Sequence, residues 1–256
     1  MATRVSDGDP SASRHRGAQR GLTRLLTRDV RGLRRIIIPS RLEATVPDWI
    51  AAVRALVDQY SAASSTLAAD YYEAERVAAR VTGRFTVPLL NAPPEEQVEN
   101  SLRWATKDLW PRDPEDPATT DAQLQPMSVR LVQAEKKAEA VAQKLVADQG
   151  RGTVQEAVRR DRQAVGWART AALGACAFCK MLVTRRAVYT QESARFQSHD
   201  GCHCGAIPVF KGQTFELSDH AREWERLYRE FAAPRSGDQL RRFRLALAEH
   251  GHPPGL

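Results

Sequence analysis

Residues 176–210, CAFCKMLVTRRAVYTQESARFQSHDGCHCGAIPVF, contain all four cysteines of the chain in two close groups. The first group is Cys176-Ala-Phe-Cys179, and the second is HDGCHC at residues 199–204. A Cys-x-x-Cys pair can hold one ion from a tight turn, and a second group about twenty residues later completes the tetrahedron that zinc prefers. The sequence therefore predicts one structural Zn²⁺ site in this segment.

The second group offers more donors than a tetrahedral site needs. We favour three ligands, with a fourth taken from the remaining cysteine or from the first histidine, and His203 ranks last. The favoured three are Cys176, Cys179 and Cys204, and the fourth is Cys202 or His199. The alternatives are redox-active thiols, disulfides or a catalytic zinc. The last is disfavoured because no glutamate adjoins the cluster as the general acid/base does in zinc deaminases.

The composition fits a soluble globular protein, with 42% hydrophobic and 27% charged residues in a chain of 256. The longest aliphatic run is Ile36–Ile38, far short of the ~20 apolar residues that span a bilayer. The basic N-terminus lacks the apolar region of a secretory signal, so we expect folding in a reducing cytosol. In that compartment close cysteine pairs more often bind metal than form disulfides.

Outward from the cysteines, residues 174–218 form a small predicted α+β module. Short β-leaning apolar runs lie at 181–183, 187–189 and 206–210, separated by polar turns. Residues 219–256 are predicted to hold C-terminal helices and a tail, because Trp224, Leu227, Tyr228 and Phe231 recur at helical spacing.

Residues 45–173 show the apolar period of helices and predict a helical bundle. We expect helices at 47–81, at 95–110 and from about 121 or 128 to 148. Gly150-Arg-Gly152 is predicted to break the last of these, and Thr153 with Glu156 to start another that reaches residue 173. The fold class is therefore mostly α: a helical bundle followed by a zinc-stapled α+β module.

The positive charge of the chain is concentrated at its N-terminus. Residues 1–35 hold nine arginines and three aspartates, which is +6 of the formal +7. Residues 1–19 have no periodicity and are predicted to be disordered. Residues 20–38 predict a basic amphipathic helix, whose arginine face is either solvated or in contact with nucleic acid. The arginines of that face are Arg20, Arg24, Arg28, Arg31 and Arg35.

The segments CAFCKMLVTRRAVY and FQSHDGCHCGAIPVF resemble the C-terminal module of the Mu F-like minor head proteins of tailed bacteriophages. Those proteins carry a Cys-x-x-Cys, a short β-region and a His-x-x-Cys-x-Cys motif before a strand. The segment PDWIAAVRALVDQYSAASSTLAADYYEAERVAAR is similar to the N-terminal helices of the actinobacteriophage branch. The resemblance covers roughly residues 45–210, and this chain has HDG-Cys where the family has His-Pro-x-Cys.

The resemblance implies a virion component that is made in the bacterial cytoplasm and located in the head interior or at the portal vertex. The implied partners are the portal or the major capsid protein, with packaged DNA as a further contact. The implied role is head assembly or genome delivery, not catalysis. The alternative is a zinc-containing DNA nuclease in which His199 and His203 serve the metal. No phosphate-binding loop, nucleophile elbow or His-Glu-x-x-His motif is present.

Overall fold

Among the residues that the structure describes, four helices form the larger part, and short strands and three further helices complete it. The computed structural model describes residues 3–110, 112–186, 189–190, 201–202, 204–234 and 237–251. The helices are α1 (Pro10–Gly32), α2 (Leu42–Ala78), α3 (Glu95–Thr106), α4 (Met127–Arg160), α5 (Ala177–Val183), α6 (Asp219–Leu227) and α7 (Gln239–His250), and the strands are β1 (Thr3–Ser6), β2 (Ala164–Thr170), β3 (Gly205–Phe210) and β4 (Gln213–Glu216).

The bundle is built on α2 and α4, against which α1 and α3 pack. Its core is aliphatic, with Trp49 as the largest fully buried side chain. Each helix contributes residues at the spacing of one helical face, so burial of these faces holds the bundle together. The core includes Leu26, Val30, Val46, Trp49, Val53, Val57, Val98, Leu102, Leu109, Ala138, Ala142 and Val146.

Helix α4 continues through Gly150, where the sequence predicted a break. A Cβ atom at this position would lie 2.6 Å from Gln19 Nε2 and 2.7 Å from Ser64 Oγ. Gln19 and Ser64 are themselves joined by two hydrogen bonds, at 3.0 and 2.8 Å. The glycine therefore permits the close approach of α1, α2 and α4 and does not end the helix.

The sheets join parts of the chain that are distant in sequence. Strand β2 pairs antiparallel with β3, and β1 pairs parallel with β4. The predicted helix up to residue 173 is wrong at 164–170, because this apolar segment pairs with β3 instead. The prediction of a β-leaning run at 181–183 is also wrong, because these residues end α5. In both places long-range packing decides between helix and strand for a short apolar run.

The N-terminal residues are held against the C-terminal part of the protein. Asp7 is buried, and its carboxylate accepts hydrogen bonds from the N–H and the hydroxyl of Ser218 at 2.7 and 2.8 Å. Ser218 in turn caps α6, since its Oγ accepts from the N–H of Ala221. The sequence predicted disorder for 1–19 and a helix only from residue 20, whereas in the structure β1 occupies Thr3–Ser6 and α1 begins at Pro10 and ends at Gly32.

A second core lies under α5, α6 and α7. Trp224, Leu227 and Phe243 are buried there together with Cys179, Cys202 and Cys204. The predicted fold class, mostly helical with a small α+β module, is confirmed. The module extends beyond 174–218, because β1 and β2 complete its two sheets. Among the described residues, no helix has the length and apolarity that a membrane crossing requires.

Candidate metal centre

Three cysteine sulfurs meet in the interior of the C-terminal module. Cys179 Sγ lies 3.0 Å from Cys202 Sγ, and Cys202 Sγ lies 2.8 Å from Cys204 Sγ. All three sulfurs are within 4.8 Å of one another, and each of the three residues is less than a tenth exposed. The sequence placed these cysteines in one predicted site, and the structure brings them together.

The first group of cysteines is positioned by the start of helix α5. Cys176 is the N-cap residue, and its Sγ accepts a hydrogen bond from the N–H of Cys179 at 3.4 Å. Cys179 therefore lies in the first turn, where its side chain faces the core beneath α6 and α7. Cys204 immediately precedes β3, whose pairing with β2 fixes the direction of the chain. The cluster thus depends on α5 and on the start of β3.

Two buried arginines contact the cysteine cluster, one through backbone carbonyls and one through a sulfur. Arg151 on α4 donates from Nε to the carbonyl of Cys204 at 2.8 Å, and from Nη2 to the carbonyl of Cys202. Arg169 on β2 has Nη1 4.0 Å from Cys204 Sγ. Both arginines are less than a tenth exposed. Their positive charges favour the thiolate form of the cysteines, which is the form that binds metal.

The close sulfurs shift one another's protonation. The hydrogen bond from the Cys179 thiol is the main cause that lowers the pKa of Cys202, and the charge of Arg151 lowers it further. The hydrogen bonds of the Cys179 thiol with Cys202 and Cys204, together with burial, raise the pKa of Cys179. The contacts between the sulfurs therefore favour the thiolate form of Cys202 over that of Cys179.

The donor set fits a metal ion that prefers sulfur. Four ligands about 2.3 Å from zinc stand about 3.8 Å apart in a tetrahedron, so the sulfurs need to separate by about 1 Å to admit the ion. Thiolates select zinc, copper(I) or iron–sulfur clusters over magnesium or calcium, which prefer oxygen. The three buried cysteines can therefore bind a metal ion.

The structure does not place the other predicted ligands, Cys176, His199 and His203, in the cluster of three sulfurs. Cys176 is exposed and is not within 4.8 Å of all three clustered sulfurs. It lies one turn from Cys179 along α5, so it remains next to the site. His199 and His203 lie outside the described residues. The sequence favoured Cys176 as a ligand and left the fourth position to Cys202 or His199, whereas the structure places Cys202 in the cluster without Cys176. The fourth position therefore falls to Cys176 or His199.

The arginines of the predicted basic face differ in their contacts and in their exposure. Arg31 donates to both carboxylate oxygens of Glu139 on α4, at 2.5 and 2.9 Å. Arg20 is half-buried, whereas Arg24, Arg28 and Arg35 are exposed. Arg28 contacts the neighbouring Asp29 at 3.1 Å. Within the part of the chain that the structure describes, three of the five predicted arginines, Arg24, Arg28 and Arg35, are exposed and contact no other helix.

Sequence reasoning missed Arg151 and Arg169 as part of this site. Arg151 follows Gly150 in the predicted helix break, so no local pattern marked it as buried. Arg169 lies in the segment that was predicted as helix. Its guanidinium carbon lies 5.8 Å from the Trp167 ring centroid and 5.9 Å from that of Tyr189. Only the tertiary fold brings the two charges to the cysteines.

Comparison with known proteins gives one family. The family model described as "VG15 protein" matches residues 7–231, which includes the helical bundle, the three clustered cysteines and α6. No curated protein and no solved structure matches the chain.

Proposed function

The chain belongs to the VG15 protein family, and we propose that it is a structural minor head protein of a phage with a zinc-stapled C-terminal module. The family assignment indicates a phage-encoded protein. We propose more specifically that it associates with the portal or the capsid interior during head assembly or genome delivery. It is supported by the resemblance of the helical and cysteine-containing segments to Mu F-like minor head proteins.

The observation that carries a structural role is the burial of the three clustered cysteines. A catalytic zinc keeps an open position for water or substrate, whereas a structural zinc is enclosed by its ligands. Cys179, Cys202 and Cys204 are 1%, 7% and 4% exposed, and apolar side chains of α5, α6 and α7 pack around them together with the buried Arg151 and Arg169. We therefore propose Zn²⁺ as the ion and assign it the role of holding α5 against the start of β3.

The head role is tested in particles. We expect the protein in mature virions of the phage that encodes it, and in complexes isolated with the portal when the two are expressed together. Mass spectrometry of purified virions and size-exclusion chromatography of co-expressed proteins measure these outcomes. Co-expression with the major capsid protein alone serves as the comparison. Absence from both virions and portal complexes would reject the proposal.

The exposed arginines of the N-terminal region support a contact with packaged DNA. Guanidinium groups neutralise phosphates without reading sequence, and this binding weakens as salt rises. Arg24, Arg28 and Arg35 can make such contacts, because their side chains are exposed and, among the described residues, contact no other helix. Arg28 would exchange its exposed ion pair with Asp29 for a phosphate. Arg31 is better left unchanged in a test, because its loss would leave Glu139 without its bidentate partner.

We expect the triple variant Arg24→Glu, Arg28→Glu, Arg35→Glu to bind duplex DNA more weakly than the natural chain. Each lost phosphate contact reduces the slope of log affinity against log salt by about 0.9, so the slope should fall by about 2 to 3. Fluorescence anisotropy with labelled duplex at several salt concentrations measures this. Deleting residues 1–35 is not a suitable alternative, because Leu26 and Val30 belong to the bundle core.

The matched control changes three exposed arginines on other elements by the same charge, namely Arg84→Glu, Arg241→Glu and Arg244→Glu. If the control variant shows the same fall in DNA affinity and in the slope of log affinity against log salt, DNA binding depends on net charge alone. The proposed contact surface is then wrong. Unchanged binding by the Arg24→Glu, Arg28→Glu, Arg35→Glu variant would show that the arginine face serves another purpose.

The alternative of a DNA nuclease depended on His199 and His203, both of which lie outside the described residues. Within the described part of the chain, the cysteine cluster is enclosed and no histidine joins it. The enclosure of the three cysteines is the observation that supports the structural role.

A further inference from the structure

A single arginine side chain contacts both residues of the Cys-x-Cys pair. The guanidinium of Arg151 donates from Nε to the carbonyl of Cys204 at 2.8 Å and from Nη2 to the carbonyl of Cys202. Its third nitrogen, Nη1, donates to Asp148 at 2.6 Å. Arg151 is 6% exposed, and α4, which carries it, passes through the helical bundle.

We propose that Arg151 is the positioning residue of the metal centre, fixing the two sulfurs of the Cys-x-Cys pair before the ion binds. The proposal rests on the metal site proposed above. Arg151 acts through the backbone of the ligand residues and does not touch the ion. Removing a group that hydrogen-bonds to the metal ligands, and so orients them, commonly lowers metal affinity 10- to 100-fold.

The planar shape of the guanidinium explains why an arginine occupies this position. Its fork presents parallel N–H groups, so one side chain can bind two carbonyls and fix their spacing. A lysine ammonium carries the same charge but lacks the rigid fork. Asp148 holds the opposite side of the guanidinium, so the donors toward Cys202 and Cys204 have little freedom to rotate.

The position of Arg151 also connects the metal centre to the helical bundle. Gly150, the preceding residue, lies against Gln19 of α1 and Ser64 of α2, so the backbone that carries Arg151 is held by three helices. Positive charge reaches the sulfurs from a second side through Arg169 on β2. A thiolate-rich metal site carries net negative charge, and these two buried arginines offset it in the low-dielectric interior.

Three variants of the full chain separate geometry from charge. Arg151→Met removes the positive charge and the planar guanidinium, and Arg151→Lys keeps the charge but not the planar guanidinium. Arg159→Met, on the exposed face of the same helix, is the control. We expect zinc affinity, measured by competition with a chromophoric chelator, to fall 10- to 100-fold in Arg151→Met. Arg151→Lys should recover only part of this loss, and Arg159→Met should match the natural chain.

Substitution with Co²⁺ provides a readout that general loss of stability would not move. Thiolate-to-cobalt charge-transfer and ligand-field bands report the number and arrangement of sulfur ligands. We expect both to change in Arg151→Met and in Arg151→Lys, while circular dichroism shows the helices intact. If the natural chain binds no metal, the proposed metal site itself fails. If it binds metal and both Arg151 variants keep its affinity and cobalt spectrum, only the positioning role is wrong.

Discussion

We expect Cys179→Ser to release the bound zinc and unfold the C-terminal module while the helical bundle stays folded. The natural chain should contain one zinc per molecule, and the variant close to none, because Cys179 contributes a sulfur to the buried cluster. Metal binding supplies much of the folding free energy of small metal-stapled modules. The loss should therefore exceed about 4 kcal/mol for the module, a size seen when a structural metal is removed.

Elemental analysis and limited proteolysis measure this outcome. New cleavage sites should appear in α5 and α6, and α2 and α4 should stay protected. Met181→Leu is the matched control, since it changes a buried side chain of the same helix at nearly constant volume. Retention of one zinc and of the natural cleavage pattern by Cys179→Ser would contradict the assignment. Cys176→Ser keeps an oxygen able to cap α5, so its zinc content separately tests whether Cys176 is the fourth ligand.

A second large effect is expected from Arg76→Met, at the end of the helical bundle. Arg76 on α2 forms a buried ion pair with Asp161, the residue after α4, and both side chains are less than a tenth exposed. Asp161 also accepts a hydrogen bond from the hydroxyl of Tyr72 at 3.2 Å. Removing the arginine leaves a buried carboxylate without its cation, which costs about 3–5 kcal/mol. Urea unfolding followed by circular dichroism gives the change in unfolding free energy.

The double variant Arg76→Met, Asp161→Asn shows whether the unpaired charge causes the loss. The amide of asparagine can still accept from Tyr72, and no buried charge remains. We therefore expect the double variant to be more stable than Arg76→Met alone, by more than about 1 kcal/mol. Equal stability of the single and double variants would mean that lost packing against Phe85, whose ring centroid lies 5.2 Å from the guanidinium carbon of Arg76, is responsible instead.

The long helices and β3, which occupies the β-leaning run predicted at 206–210, followed from local patterns, whereas β1, β2 and the pairing of the strands did not. Apolar periodicity over α2, α3 and α4 is long enough to indicate helices by itself. β2 is seven residues long, and a short apolar run has no period that distinguishes helix from strand. β1 contains Val5 as its one aliphatic residue, and its order comes from β4 and Ser218, more than 200 residues later. No local property of residues 3–9 reports those contacts.

The cysteines were predictable in identity but not fully in arrangement. Two tight groups in one chain indicate a shared site, and three of the four sulfurs do meet. Cys202 joins Cys204 in the cluster because residues two apart in an extended chain lie on the same face. Arg151 could not have been found, since its role depends on α4 passing beneath a segment that lies about 50 residues later in the sequence.

The contact between Asp7 and Ser218 has a consequence for the order in which the chain acquires its structure. The two residues are separated by 211 positions, so their hydrogen bonds close almost the whole sequence into one loop. On the ribosome, Asp7 emerges early, and its carboxylate cannot bind Ser218 until β4 and the start of α6 have been synthesised. Domains usually fold as synthesis proceeds from the N-terminus, and distant contacts form last because of the entropy of closing long loops. During translation, β1 therefore stays unpaired with β4 after the helices α1 to α4 have been synthesised and can pack.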